Sequence, residues 1–426
     1  MKNDPLSRLS TWTVACTIGA LVCILLAQGC SPRRLPSQGG CVINVFDHAH
    51  VQFLPDSLGT YVGEDPSGII HLTNGRIILK KITLPHYTRR VSATLTVRVE
   101  SDGDRWDKSG SVFVIPKDAA PVNLLSIAKG EAKFPAVDST KYEKLIGTVP
   151  GEGYLPTVEL LRFMTPFGVG YYSRRDTSER SRTRPVYIDG WAEETCWKAD
   201  ITDLFPLIQD ECYIGVFIDT WTAEGYLSSV DIEIEESPCE YDPLPRRHVI
   251  PLVNTIYYIG QEYPDIFARR PLCVDFELPK TASNATLKYI VTGHGGHSGG
   301  DEFTPQRNIV TLDNENLLDF TPWRRDCASY RRFNPTSGVW AQKRDVSFYG
   351  RRGRETKTID EMLASSDLSR SNWCPGSDVP PISSEVGMMA AGPHRLSISI
   401  PDAQPMKGNE MNHWLISCYL VWDEED

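Results

Sequence analysis

The sequence lacks an excess of positive charge. Its 426 residues include 44 Lys and Arg against 55 Asp and Glu, for a formal net charge of −11. Nucleic acids and anionic membrane surfaces attract clustered positive charge, so we expect neither as a partner. Hydrophobic residues make up 41% of the chain and charged residues 23%, which is typical of a globular protein. This length is sufficient for two domains, each with its own core.

Long apolar runs are also scarce. Residues 14–27 form an apolar run of signal-peptide length, shorter than the ~20 residues of a transmembrane helix. The run ends in Ala27-Gln28-Gly29-Cys30, which resembles the cleavage site of bacterial lipoproteins. We therefore predict a signal peptide over residues 1–30, lipidation of Cys30 and a polar tether over residues 31–40. A plain cleaved signal is the alternative.

Either signal predicts a chain that acts outside the cytoplasm. We expect an exported bacterial lipoprotein at the outer membrane or cell surface, or on its periplasmic side, held to the membrane only by the lipid anchor. Of the eleven cysteines, Cys16, Cys23 and Cys30 fall in the leader, which leaves eight. An even number in an oxidising compartment favours disulfides, although spacing alone leaves their pairing open.

Amphipathic helical patterns and internal repeats are nearly absent, and the best short helical candidate is residues 359–368. By contrast, apolar and polar side chains alternate over residues 93–100, 230–235 and 396–400. This period of two indicates antiparallel strands with one buried face, and many short strands predict β-sandwiches. Three prolines within residues 237–245 favour a boundary there. We predict an N-terminal domain over residues 41–239 and a C-terminal domain over residues 240–426.

The glycine-rich segment Gly-His-Gly-Gly-His-Ser-Gly-Gly-Asp-Glu-Phe, residues 293–303, contains the G-x-S-x-G pattern of a serine nucleophile. That nucleophile requires a strand, a sharp turn and a helix. Residues 287–292 have the pattern of a strand, but no helical pattern follows Asp301. Five glycines in so short a segment make a chance match easy, so we do not assign catalysis to Ser298.

The same segment also offers metal ligands. His294 and His297 could join His48 and His50, or His413 near the C-terminus. A copper or zinc site needs about three well-placed ligands, and nine histidines in the chain produce pairs by accident. We therefore predict no metal and no cofactor. A copper monooxygenase on a related β-sandwich stays as an alternative.

Carboxylates beside tryptophans are the strongest chemical candidates. Asp107 follows Trp106 on a loop between two predicted strands, and Asp219 ends an apolar strand close to Trp221. A ring beside a carboxylate suits a sugar site, because partial desolvation raises the pKa of the base. An acidic surface turn and a strand-end cap are the alternatives. Basic and aromatic residues also crowd residues 324–354, either as a loop that packs on glycan or peptide or as a solvated insertion.

Taken in order, these segments resemble the bacterial peptide-N-glycosidase F family, secreted amidases that remove whole N-glycans from asparagine. The resemblance extends from about residue 42 to residue 422, and its most specific part is Arg-Ser-Asn-Trp-Cys-Pro-Gly at residues 370–376. The other matching segments are residues 42–47, 104–107, 111–114, 162–167, 219–221, 291–295 and 301–303.

The resemblance implies an all-β fold of two antiparallel jelly-roll β-sandwich domains packed side by side, with the active site between them. It places Asp107 at the principal catalytic aspartate, Glu302 at the second essential carboxylate and Asp219 at the third. It implies a disulfide between Cys327 and Cys374. The implied substrate-binding positions are Trp106, Lys108, Met164, Trp221, His294, Phe303, Arg370 and Trp373.

The implied reaction hydrolyses the amide between N-acetylglucosamine and asparagine in N-linked glycoproteins or glycopeptides. It needs no cofactor, and we expect the chain to be a monomer. The chain departs from the family pattern at several site positions: the family has glutamate at Asp219, arginine at Lys108, and tryptophan at His294 and Phe303. A non-catalytic, surface-anchored glycan-binding lipoprotein is therefore kept as a second alternative.

Overall fold

A computed structural model of the chain describes most of the predicted mature protein. The described ranges are residues 40–116, 120–138, 140, 145–175, 188, 190–260, 266–295, 299–408 and 410–424. The predicted lipidation site Cys30 lies outside them, as do His297 and Ser298 of the glycine-rich segment. Within these ranges, no helix has the length and apolar character needed to cross a membrane.

Strands dominate the described residues, as the alternating patterns predict. The strands of the first half are β1 (Cys41–Val51), β2 (Tyr61–Val62), β3 (Ile69–Leu72), β4 (Ile77–Thr83), β5 (Val91–Ser101), β6 (Ser109–Pro116), β7 (Val158–Met164), β8 (Thr195–Asp200), β9 (Glu211–Ile218) and β10 (Tyr226–Glu236). Those of the second half are β11 (Arg247–Asn254), β12 (Leu272–Leu278), β13 (Ala282–His294), β14 (Asn308–Leu312), β15 (Glu315–Phe320), β16 (Val339–Gly350), β17 (Gly353–Ala364), β18 (Asp378–Val379), β19 (Ile382–Met389), β20 (Gly392–Ser399) and β21 (His413–Glu424). The α-helices of the described ranges are short and are α1 (Leu124–Ala128) and α2 (Phe205–Ile208).

The first half of the chain forms one antiparallel sandwich. A four-stranded sheet in the order β1-β10-β5-β8 faces a seven-stranded sheet in the order β18-β7-β6-β9-β4-β3-β2. Alternate side chains of β5 and β10 point into the core, where Leu95, Val97 and Ile232 are fully buried. Burying each such side chain contributes roughly 1.5–3 kcal/mol. The alternating pattern therefore determines which face of each strand enters the core.

The second half forms a second antiparallel sandwich from sheets β11-β21-β13-β19 and β12-β20-β14-β15. Strand β21 is central in its sheet and almost wholly buried. Leu287, Val291, Ile416 and Leu396 fill this second core. The all-β architecture of two jelly-roll sandwiches is confirmed, and the predicted boundary at residues 237–245 falls between β10 and β11.

Contacts between strands of the two sandwiches hold them side by side. The short strand β18, from the second half, pairs with β7 of the first. On β7, the buried Arg162 donates from Nη1 to the carbonyl oxygen of Leu415 at 2.5 Å and is paired with the buried Glu159. The hydroxyl groups of Tyr258 and Ser111 form a hydrogen bond, with 3.1 Å between the two oxygens. Loops at the ends of strands from both halves therefore meet along one seam.

Two expectations from the sequence are wrong. Residues 359–364 belong to β17 and are followed by a 3₁₀ turn at Ser365–Asp367, because β17 pairs with β16 along its whole length. The resulting hairpin, β16–β17, is mostly solvent-exposed and is called the arm below.

The second wrong expectation is that the even number of cysteines reflects disulfides throughout. Of the eight cysteines after the leader, Cys327 and Cys374 form a disulfide, which confirms the pairing implied by the resemblance, and the other six are free. The six free cysteines are Cys41, Cys196, Cys212, Cys239, Cys273 and Cys418.

Candidate active site

The loop between β5 and β6 carries Trp106, Asp107 and Lys108. Its conformation is held by Asp104, which is buried and accepts the backbone N–H of Trp106 at 3.0 Å through Oδ1. The other oxygen of Asp104, Oδ2, accepts the hydroxyl of Thr220 at 2.8 Å. Since Thr220 lies on the loop after β9, this one carboxylate ties the β5–β6 loop to the loop that carries Asp219.

Glu302 reaches the same seam from the second sandwich, on the glycine-rich loop after β13. The loop begins at Gly295, whose φ of +84° is in the left-handed region. A Cβ at this position would lie 1.9 Å from the carbonyl oxygen of Met411, so only glycine fits. Beyond the turn, the carbonyl of Glu302 accepts the backbone N–H of Ser371 at 3.0 Å. The loop thus runs beside the segment that carries Arg370.

Arg370 lies between the carboxylates of the two halves. Its side chain is 2% exposed. Its Nε donates to Oε1 of Glu302 at 2.9 Å, and its Nη2 lies 3.8 Å from Oδ2 of Asp107. The guanidinium carbon also lies 5.1 Å from the centre of the Phe303 ring and 4.9 Å from that of Trp373. One buried cation therefore draws together carboxylates that come from opposite halves of the chain.

Asp219 has a separate set of partners, two from the first sandwich and one from the segment after β11. Its Oδ1 accepts Nη1 of Arg76 at 3.1 Å and Nε1 of Trp221 at 3.0 Å. Its Oδ2 accepts the hydroxyl of Tyr257 at 2.8 Å. The positive charge of Lys108 acts on both Asp219 and Asp107. Asp219 thus belongs to the same electrostatic neighbourhood as the Arg370 group.

Burial controls the protonation of these carboxyls. It raises the pKa of Asp107, and the charges of Arg370 and Lys108 oppose the rise. Burial likewise raises the pKa of Asp219, against the hydrogen bond from Tyr257. The pKa of Glu302 rises to about 7, chiefly through burial, with Arg370 opposing and the negative charge of Asp107 adding to it. A carboxyl with such a pKa can gain or lose a proton near neutral pH.

Two tryptophans form the exposed edge of the site. Trp106 is 51% exposed and Trp221 is 52% exposed, although both are large apolar side chains. Trp221 is held from below, with the guanidinium carbon of Arg76 4.2 Å from its ring centre and Phe53 at 5.1 Å. Open aromatic surface beside polar groups is typical of a ligand site.

A row of rings lies beside Arg370. His294 stacks between Trp373, at 5.4 Å between ring centres, and His413, at 5.2 Å. Burial holds the pKa of His294 well below its ordinary value and lowers that of His413 to about 4. Nε2 of His294 lies 2.7 Å from the hydroxyl of Thr292. Among the described residues, no three His, Cys, Asp or Glu side chains are grouped as metal ligands.

Both halves of the chain match models of one known protein family. Residues 42–234 match the family model described as "Peptide-N-glycosidase F, N terminal", and residues 262–421 match "Peptide-N-glycosidase F, C terminal". The chain belongs to the peptide-N-glycosidase F family. Both halves of the site thus lie within matched segments.

Individual members of the family share part of the sequence and most of the fold. The peptide-N(4)-(N-acetyl-beta-D-glucosaminyl)asparagine amidase F of Elizabethkingia miricola is 22% identical over 323 residues, which cover 72% of this chain and 76% of that protein. A structure of PNGF-II is 32% identical with a TM-score of 0.75 and covers 91% of this chain. This chain spans 66% of the PNGF-II chain. Recombinant PNGase F, 16% identical with a TM-score of 0.54 over 91% of this chain and 97% of its own, shares the fold.

In this member of the peptide-N-glycosidase F family, two of the residues that the resemblance gives as substrate-binding are buried. Met164 is 1% exposed and Trp373 is 4% exposed, so neither side chain lines open space. Trp373 donates from Nε1 to the carbonyl oxygen of Gly293 at 2.9 Å and supports Arg370 from beneath. Their role as substrate contacts stays a prediction.

Sequence reasoning missed several residues of the peptide-N-glycosidase F site. Arg76 and Tyr257 bond directly to Asp219, yet they lie 143 and 38 residues from it in the chain. No local pattern marks either residue. Asp104 lies in the matching segment 104–107, and its position two residues before Trp106 is the spacing of a turn-forming aspartate. That spacing is the one signal that could have identified its role.

Proposed function

We propose that this chain is an amidohydrolase that releases intact N-glycans from glycoproteins or glycopeptides. It would cleave the amide bond between N-acetylglucosamine and the asparagine side chain and leave aspartate in the peptide. The observation that carries the proposal is the buried Arg370, which joins Glu302 of one sandwich to Asp107 of the other. Family membership supports the same reaction class and favours neither the copper monooxygenase nor the non-catalytic binding protein.

In the proposed reaction, Asp107 is the base that activates water. Its raised pKa makes it a stronger base than an exposed aspartate. Water attacks the side-chain carbonyl carbon of asparagine, and its proton passes to Asp107. Lys108 or Arg370 stabilises the negative charge that develops on the carbonyl oxygen. When the carbon–nitrogen bond breaks, the nitrogen takes the proton held by Asp107, which restores the carboxylate, and leaves as a glycosylamine that later loses ammonia.

The remaining groups suit the sugars of the substrate. Glu302 and Asp219 each present carboxylate oxygens at the seam, where they would bind hydroxyl groups of the first sugars and position the scissile bond. Trp106 and Trp221 present ring faces at the exposed edge of the site. Sugars that stack on these rings would be held in place, and the polar side chains would stay available for hydrogen bonds. Because every one of these side chains comes from a single chain, we propose that the monomer is the active form.

The reaction is tested with a defined N-glycopeptide in water enriched in oxygen-18, with a chelator present. The proposal predicts an intact glycan and a peptide in which the asparagine has become an aspartate carrying one heavy oxygen. Mass spectrometry separates this product from that of a glycosidase, which would leave a sugar on asparagine. An unchanged glycopeptide, with fucosylated and unfucosylated cores alike, would refute the proposal.

A matched pair of variants tests the proposed base. Asp107→Asn should abolish turnover while the thermal midpoint stays close to that of the wild type. Asp102→Asn alters a partly exposed aspartate of the same loop, outside the proposed machinery, and should keep the wild-type rate. Near-normal turnover by the Asp107→Asn variant would contradict the assignment.

We also propose that the mature protein is an exported lipoprotein anchored through Cys30. The support is the short apolar leader and the small residues before Cys30. Metabolic labelling with a fatty acid should mark the wild type, whereas Cys30→Ser should remove the label and release the protein from membranes.

A further inference from the structure

Asp301, the residue before Glu302, has a wholly buried carboxylate that takes no part in the proposed chemistry. Its Oδ2 accepts Nε1 of Trp414 at 2.9 Å and the backbone N–H of Gln404 at 3.0 Å. Its Oδ1 accepts Nε2 of Gln306 at 2.9 Å. Three donors, from β21, from the segment before it and from the loop after Glu302, therefore converge on one side chain.

The backbone of Asp301 is anchored as well. Its N–H donates to Oδ1 of Asn412 at 3.1 Å, and its carbonyl oxygen accepts the hydroxyl of Ser371 at 2.6 Å. Ser371 directly follows Arg370 and also donates its own N–H to the carbonyl of Glu302. Asp301 is thus bound both to the rigid C-terminal strand and to the segment that presents Arg370.

Before Asp301, the described part of the loop has fewer hydrogen bonds: the carbonyl oxygen of Gly299 accepts Nε2 of Gln404 at 2.9 Å and the hydroxyl of Thr304 at 3.1 Å. Gly299, two residues earlier, has a φ of +115°, and a Cβ added there would meet no heavy atom within 4 Å. The loop is therefore not packed at that point. The described part of the loop is held by hydrogen bonds, of which those at Asp301 are the most numerous. The carboxylate of Glu302 has a single direct bond, to the Nε of Arg370.

We propose that Asp301 is a positioning residue, which fixes Glu302 and Arg370 relative to each other by binding the loop of one and the segment of the other. The effect on turnover rests on the proposed amidase function, whereas the effect on the Glu302 carboxyl does not. Misplacing a reacting or binding group by about 1 Å can cost roughly 100-fold in rate. Replacing Asp301 should therefore first change the position and the surroundings of the Glu302 carboxyl.

Two substitutions at Asp301 test whether its hydrogen bonds, and not only the volume of its side chain, position Glu302. Asp301→Asn keeps an oxygen that accepts from Trp414 and Gln404. Its amide nitrogen can donate to the side-chain oxygen of Gln306 if the Gln306 amide group flips. Asp301→Leu fills a similar volume but leaves all three donors without an acceptor. Ser371→Ala is a milder third variant that removes the hydroxyl bond to the carbonyl of Asp301 and leaves the backbone bond from residue 371 to Glu302 in place.

The experiment compares the wild type, the three variants and an assignment variant, Glu302→Gln, by two measurements. Nuclear magnetic resonance of protein labelled with carbon-13 at glutamate carboxyls follows the titration of Glu302. Glycopeptide turnover gives kcat and KM across pH. In the Asp301→Leu and Ser371→Ala variants we expect the titration to move from about 7 towards the ordinary 4.5, because a released loop hydrates the carboxyl.

For turnover, we expect kcat/KM to fall roughly 100-fold in Asp301→Leu, with an acid shift of the pH profile, and to stay within about 10-fold of the wild type in Asp301→Asn. An unchanged Glu302 titration in Asp301→Leu would overturn the proposal. If that variant does not fold, an unchanged titration in Ser371→Ala overturns it instead. A wild type without turnover would refute the amidase function alone, because the titration still decides the role of Asp301.

Discussion

The buried carboxyl of Glu302 makes the stability of the protein depend on pH in a way that Glu302→Gln should remove. In the folded state its pKa is about 7, against an ordinary value of 4.5, mainly because burial disfavours the charged form. Ionising Glu302 therefore costs more in the folded protein than in the unfolded chain. The neutral glutamine of the variant has nearly the same shape and no such cost.

The size of the effect follows from the two pKa values. A gap of about 2.5 corresponds to about 3 kcal/mol, at roughly 1.4 kcal/mol for each pH unit. Because the folded pKa is the higher one, the folded state binds the proton more tightly. The stabilisation is complete below pH 4.5 and is lost as the pH rises through about 7. Relative to Glu302→Gln, the wild type should thus lose about 3 kcal/mol between pH 4.5 and pH 8.5.

Urea unfolding of both proteins at a series of pH values measures this difference, and titrating groups that do not interact with Glu302 cancel in the comparison. The exposed Glu315 supplies the control, since Glu315→Gln should keep a constant offset from the wild type. If the difference in free energy of unfolding between the wild type and Glu302→Gln stays constant with pH to within about 1 kcal/mol, the Glu302 carboxyl is hydrated. The desolvated site described above would then be wrong.

Two further predictions concern the seam and the arm. Glu159→Gln should lower the free energy of unfolding by about 3–5 kcal/mol, because it leaves the guanidinium of Arg162 buried without its counter-charge. Removing both charges, in Glu159→Gln with Arg162→Met, should cost less in urea unfolding, and an equal or greater loss would contradict this. Deleting residues 343–360, the outer part of the arm, should change stability by less than about 0.5 kcal/mol, because the segment is largely exposed. A loss above about 2 kcal/mol on denaturation would show that the arm packs on the sandwiches.

The local patterns of the sequence predicted the strands well, because alternation needs only neighbouring residues. Residues 93–100 and 230–235 lie in β5 and β10 with the alternation intact. The same reasoning failed at residues 359–368, where a helix-like spacing was overruled by pairing with β16. A partner strand supplies hydrogen bonds that a short, exposed helix cannot match. Local pattern was a poor guide where a distant segment provided the partner.

The candidate site shows the same division. The order of motifs along the chain was enough to select Asp107, Glu302, Asp219 and Arg370. It did not reveal that Arg370 contacts two of them, or that Asp301 binds three donors from other segments. Nor did it reveal that the side chain of Trp373 is buried.

By itself, the sequence determined the class of fold, the family and the residue types available for chemistry, because these are carried by neighbouring residues and by the order of motifs. Only the tertiary structure decided how those residues are charged and held. The pKa of Glu302 depends on the exclusion of water by both sandwiches and on Arg370, which lies 68 residues away. Desolvation and electrostatic interaction depend on distances in space, and those exist only once the two halves have packed together.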